Sequence, residues 1–391
     1  MATPSPLLAL PLEIREQIYT HLLSPATARR VLHDDYVRYR YSLTVFLTNH
    51  QIYTEARTVF TRLNHFVVLE TPWEAETHVA HEHRVPIVAS GLRATKWARY
   101  WDAVLAVRID APEFAESGEA VEGEAEEVHK LVLLAGDIGR FASMWFYSDL
   151  SYPGLNERLR LTLRLRKGVV KRVQEKLLEP FGAVKGLLET RVLGEWDGDV
   201  ERALRAAMAV PHSPPEKCLE EATKLKDAGN AALQAQRYRE AITLYEQAFT
   251  AMHIVVEGRR RAVWAGPYFE REITAGTFAG QYAQMVRLIL RVKLVANTLL
   301  AYMKLEDWEE VKFWGMRSIN LMEDYRGEAV EPMRGFAAAK ELGKIYYRTG
   351  VAWKMLGDEA EARRLLRTAE VYLPNDEIVK KELASVALML E

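Results

Sequence analysis

The most regular alternation of apolar and polar positions lies in the C-terminal half of the chain. Across residues 220–250, Leu225, Ala228, Gly229 and Ala232 recur at helical spacing, and Ala241, Tyr245 and Ala248 do so again. Steps of three and four place each set on one helix face. Small residues at Gly229, Ala241 and Ala248 let two helices approach closely, with Tyr238 and Tyr245 filling the space between them. The pattern predicts an antiparallel helix pair. Residues 294–321 predict a second pair and residues 344–374 a third, in which Gly350, Trp353, Ala362, Ala369 and Pro374 fall in equivalent places. The second is looser, with Val311 and Gly315 where an alanine and an aromatic would serve. Val379, Leu383, Val386 and Leu390 share a face in residues 376–390, predicting a closing helix, because a stack must cover its last apolar face.

The N-terminal half follows other periods. Ile14, Ile18 and Leu22 recur in steps of four and predict an apolar face on a first helix, with Pro11 suited to its first turn. Strands are expected at 66–69, 103–109, 159–166 and 190–193, the third alternating strictly between leucine and polar residues. Helices are expected at 124–145, 169–181 and 199–208. Strand–helix alternation predicts a small α/β layer with parallel pairing. Three prolines within 211–215 cannot continue a helix. They divide the chain into a head (1–210), a Pro-rich spacer (211–216) and a helical array (217–391).

Composition narrows the function classes. The 391 residues are 49% hydrophobic and 27% charged, with a net charge of −2, which suits a globular chain and argues against a general nucleic-acid binder. The lone cysteine, Cys218, allows no disulfide framework and no thiolate metal site. No apolar run is long enough to span a membrane, and the N-terminus lacks the basic start of a signal or transit peptide. The expected compartment is the cytoplasm or nucleus. No phosphate-binding glycine loop, nucleophile elbow or zinc-protease signature occurs, so neither an enzyme nor a cofactor is expected. His78, His81 and His83, with Glu74 and Glu76, are the one metal-like group. Steps of three and two share no helix or strand face, so an exposed loop without metal is expected. Residues 115–127 read as an acidic loop. The Arg259–Arg261 run, inside a segment that stretches the first repeat interval to about two repeat lengths, reads as solvated, whereas Tyr268 and Phe269 are expected to pack on the array.

The helix pairs resemble the tetratricopeptide repeat, a unit of about 34 residues. Within that resemblance, Lys226 and Asn230, Asn297, and Lys344 and Arg348 match the pattern of the "carboxylate clamp" co-chaperones. Those proteins grip the acidic Glu-Glu-Val-Asp-type C-terminal tail of seventy- or ninety-kilodalton heat-shock chaperones. A spacing of four puts Lys226 with Asn230, and Lys344 with Arg348, on one helix face. Lysine and arginine donate charge-assisted hydrogen bonds to carboxylates, and asparagine can bond a peptide backbone. The plain alternative is five solvated residues on ordinary repeats. At the other end, residues 10–19 (LPLEIREQIY), Gln51 to Ala56, and Asn64 with Phe66 resemble an F-box-like group of filamentous fungi. That resemblance covers about residues 7–70 and implies docking to a Skp-type adaptor of a cullin–RING ubiquitin ligase. The expected fold is therefore mainly α with an α/β N-terminal part: F-box-like helices and a small strand–helix layer, then a superhelix of three tetratricopeptide repeats with a capping helix. The expected function is a co-chaperone-like scaffold; the alternative is a ubiquitin-ligase substrate receptor.

Overall fold

The computed structural model describes residues 6–32, 36–112, 128–324 and 335–386. The expected acidic loop at 115–127 and Leu390 of the closing helix lie outside the described residues. The chain divides into two compact units, Met1–His212 and Ser213–Glu391.

The first unit is built on a six-stranded mixed sheet. Its strands are β3 (Phe66–Thr71), β4 (Ala89–Ser90), β5 (Leu105–Asp110), β6 (His129–Leu134), β7 (Arg160–Leu165) and β8 (Glu189–Leu193), in the order β4-β6-β3-β5-β7-β8. The small hairpin β1 (Arg29–Val31) and β2 (Val37–Tyr39), preceded by the short helix α2 (Pro25–Ala28), stands outside it. Parallel pairing holds only for β3 with β5 and β7 with β8, and the other three pairs are antiparallel. This corrects the expected parallel layer. The cause is β6, which occupies residues expected to be helical; helix α5 begins only at Ile138 and runs to Ser151.

Alternate side chains of β3 and β6 enter two different cores. Val67, Leu69, Leu131 and Leu133 pack with Phe141 and Trp145 of α5, and with Leu177 of α6 (Lys171–Leu178) and Leu204 of α7 (Gly198–Ala209). Phe66, Val68, Val132 and Leu134 pack instead with α1 (Leu12–Leu23), α3 (His50–Leu63) and α4 (Gly91–Tyr100). A strand covered on both faces needs no polar alternation. β5 and β7 are covered on one face, where Leu161, Leu163 and Leu165 are buried, while Arg160 on the other face grips Asp110.

Helix α1 buries a different face from the one its aliphatic residues mark. Arg15, Tyr19 and Leu23 point inward, while Ile14 and Leu22 remain 41% and 44% exposed. Arg15 donates from Nε and Nη2 to the Glu55 carboxylate at 2.8 and 2.6 Å, and the Tyr19 hydroxyl donates to it at 3.0 Å. A buried guanidinium is tolerated because this bidentate partner waits on α3.

The second unit is a stack of antiparallel helix pairs. α8 (Pro215–Gln234) pairs with α9 (Tyr238–Ala251), α10 (Ala283–Lys304) with α11 (Trp308–Asp324), and α12 (Ala339–Met355) with α13 (Glu359–Tyr372); α14 (Glu377–Ser385) closes on α13. Each pair turns in the same way. Gln236, Glu306 and Gly357 adopt positive φ of 60°, 58° and 91°. The next amide then donates back to the preceding helix: Arg237 to Ala232, Asp307 to Tyr302 and Asp358 to Trp353, at 2.9, 3.0 and 3.0 Å. This is a left-handed helix stop that satisfies the last carbonyls.

Between α9 and α10, in the segment that lengthens the first repeat interval, the chain forms a hairpin, β9 (Ile254–Glu257) with β10 (Arg260–Val263). The arginine run is not solvated as expected. Arg261 is buried between the rings of Phe249 and Trp314, 5.1 and 4.9 Å from their centres, because strand alternation turns it inward. Arg259 stays exposed and holds Glu310 at 2.7 Å. Buried Arg287 on α10 ties the segment down, donating to the carbonyls of Met252, His253 and Trp264 and lying over Phe269. Phe269 is fully buried. Among the described residues, no helix is long and apolar enough to cross a membrane.

Candidate functional site

The first helices of the three pairs, α8, α10 and α12, are neighbours: α10 touches both of the others. Their polar residues meet. On α8, the Asn230 side-chain oxygen accepts hydrogen bonds from the Asn297 amide of α10 at 2.8 Å and from the Tyr245 hydroxyl of α9 at 2.9 Å. On α12, Arg348 donates from Nη1 to the carbonyl of Ala296, the residue beside Asn297. Asn230 and Asn297 are therefore linked directly, and Arg348 reaches the backbone beside Asn297, a row across three helices separated widely in sequence.

The two lysines occupy the turns preceding that row. Lys226 is half-buried on α8, with Nζ 2.9 Å from the Asp227 carboxylate. Lys344 is exposed on α12, 3.9 Å from Glu341. Arg348 differs from an open surface donor: it is 9% exposed. Burial pushes its pKa down to about 10, opposed by the nearby oxygens of Tyr347, Tyr245 and Glu341. The cause is desolvation of a charge whose hydrogen-bond partner is a backbone carbonyl.

Tyr245 is the part that sequence reasoning took only as filler. Its ring packs on Gly229, where an added Cβ would stand 2.4 Å from the ring. Its hydroxyl fixes Asn230, and burial pushes the phenol up to about 12. A buried tyrosine hydroxyl ordinarily finds a partner, and an asparagine on the facing helix was the available signal.

Cys218 is buried on α8. Its Sγ lies 3.4 Å from the Ser213 carbonyl and 3.9 Å from His253 Nε2, and burial pushes the thiol up to about 11. The thiolate needed for nucleophilic chemistry is thereby disfavoured.

No protein-family model matches the chain, and no curated protein matches it. Solved structures that match include a Plasmodium falciparum chain described as the C-terminal TPR-containing domain of an FK506-binding protein. It is 16% identical, with 45% of this chain and 91% of that chain covered and a TM-score of 0.31.

Proposed function

We propose that the protein is an interaction scaffold whose helical array holds the carboxylate-bearing C-terminus of an extended peptide, of the Glu-Glu-Val-Asp type found on heat-shock chaperones. The observation that carries this reading is the polar row Asn230–Asn297–Arg348, with one lysine a helical turn away at each end. Arg348 is a desolvated cation held by a backbone carbonyl. A ligand carboxylate would relieve that electrostatic deficit with a charge-assisted hydrogen bond. Asn230 and Asn297 would keep donors and acceptors for the peptide backbone, and Lys344 would add a second cation.

The test is titration of the full chain with a tail peptide bearing a free C-terminal carboxylate, and with the same peptide amidated. The free acid should bind and the amide should bind at least about tenfold more weakly, since truncating one member of a desolvated charge pair costs about 2 kcal/mol or more. Equal binding of both peptides would remove the clamp.

A second reading is favoured by one observation, the outward aliphatic face of α1. Ile14 and Leu22 face solvent on a helix whose other side is firmly buried. That face would suit docking to a Skp-type adaptor, making the protein a ubiquitin-ligase substrate receptor. Ile14→Asp should then abolish co-purification of the adaptor with the full chain while leaving tail-peptide binding intact; adaptor capture that survives the substitution would discard this reading.

A further inference from the structure

Residues Ala75–Glu82 form a π-helix, where the sequence led to an exposed loop. Its bonds run five residues apart: the Val79 amide donates to Glu74 at 3.1 Å and the His83 amide to His78 at 3.3 Å. The Glu74 carboxylate caps its start by accepting from the amides of Glu76 and Thr77. The wider turn changes which side chains share a face. In an α-helix or a strand, His78 and His83 would diverge; with i→i+5 bonds they stand one above the other. Their rings lie 4.9 Å apart, and Glu82 Oε2 is 2.8 Å from His78 Nδ1. His81 points elsewhere, against Tyr36 at 4.2 Å.

We propose that His78, Glu82 and His83 form a binding site for a divalent transition-metal ion of the zinc class. One candidate ligand atom from each residue lies within 4.8 Å of the others. Ligand atoms around a four-coordinate ion stand about 3.4 Å apart, given bonds of about 2.1 Å. Side-chain adjustment of about an ångström closes the three onto one centre. Two imidazoles with one carboxylate select zinc, cobalt or nickel over magnesium or calcium, which prefer oxygen alone.

One further observation supports the site. The π-helix is an uncommon geometry that concentrates at functional sites. A metal held at positions i, i+4 and i+5 would stabilise this turn against reversion to an α-helix, because only the wider turn gathers all three ligands. The exposed Glu82 carboxylate leaves room for solvent or a partner's ligand at the remaining position. The site lies in the first unit and is independent of the tail-binding reading of the second.

The experiment uses the full chain after chelator treatment. Zinc is titrated against a competing chromophoric chelator, and cobalt(II) is added separately while visible absorption is recorded. The wild type should bind one zinc and raise its Tm, and the cobalt form should show the intense visible bands of a low-coordinate ion. His83→Gln should weaken zinc at least about tenfold, and the double change His78→Gln with Glu82→Gln should remove the cobalt bands while circular dichroism stays native. Zinc binding that persists in the variants, or a cobalt spectrum typical of the hexaaqua ion in the wild type, would overturn the proposal.

Discussion

Gly229 of α8 lies directly beneath the ring of Tyr245 of α9, so close that a methyl group there would come within 2.4 Å of Cε1 and 2.7 Å of Cδ1. The contact sets the spacing of the first helix pair and aims the Tyr245 hydroxyl at Asn230. Gly229→Ala is expected to force the ring aside and to destabilise the chain by about 1–3 kcal/mol. It should also weaken tail-peptide binding, because Asn230 loses its orienting partner. Urea unfolding and peptide titration of the same variant check both outcomes; an unchanged unfolding midpoint would show that the ring has room to move.

Glu306 holds the left-handed turn position between α10 and α11 that Gly357 fills between α12 and α13. A side chain in that conformation costs about 1–2 kcal/mol, part of which glycine would lose again through its freer unfolded chain. Glu306→Gly should therefore stabilise the protein by about 0.5 kcal/mol. A lower urea midpoint in the variant would contradict this.

The Arg15 guanidinium, by hydrogen bonding, holds the Glu55 carboxyl at about 2, below its ordinary 4.5, with Gln51 and Tyr19 assisting. A carboxyl depressed in the folded state stabilises the fold above its ordinary value, and that contribution fades as the pH falls from about 4.5 toward 2. Unfolding followed across that window should show the wild type losing stability faster than Glu55→Gln. Parallel curves would mean that the pair contributes nothing.

Cys218, its thiol pushed up to about 11, is protonated at neutral pH. It should react slowly with a disulfide reagent in the native chain and rapidly in urea. Fast native labelling would indicate that the start of α8 opens readily.

The helical array was legible because its signals are local. The small residues Gly229, Ala241 and Ala248 and the closing Val379 and Val386 are written within single helices and are buried, whereas Ala228 of the expected first face is exposed and Leu225 and Leu383 are half-buried. Gly315, which looked like a poor fit, is the close approach of its pair to the next: a Cβ there would strike Thr349 of α12. The head was legible only where one sheet face meets solvent. β7 alternates and was found; β6 carries Leu131, Val132, Leu133 and Leu134 into two cores and has no alternation to find. On α1, periodicity marks the aliphatic face, whereas the buried face holds an arginine whose charge is met by the distant Glu55. Arg261 reads as solvated for the same reason, since the aromatic rings that bury it come from α9 and α11. Asn230, Asn297 and Arg348 stand far apart in sequence, and the burial of Arg348 depends on how closely α10 and α12 pack.

The sheet of the head also finishes in a way that guards it. One outer strand, β4, is two residues long, and the other, β8, carries Glu189 and Arg191, joined at 2.6 Å. Short or charged rims discourage a second copy from adding its own strand. Exchanging both charges for leucine would leave the interior untouched yet turn that rim into a seam for self-assembly.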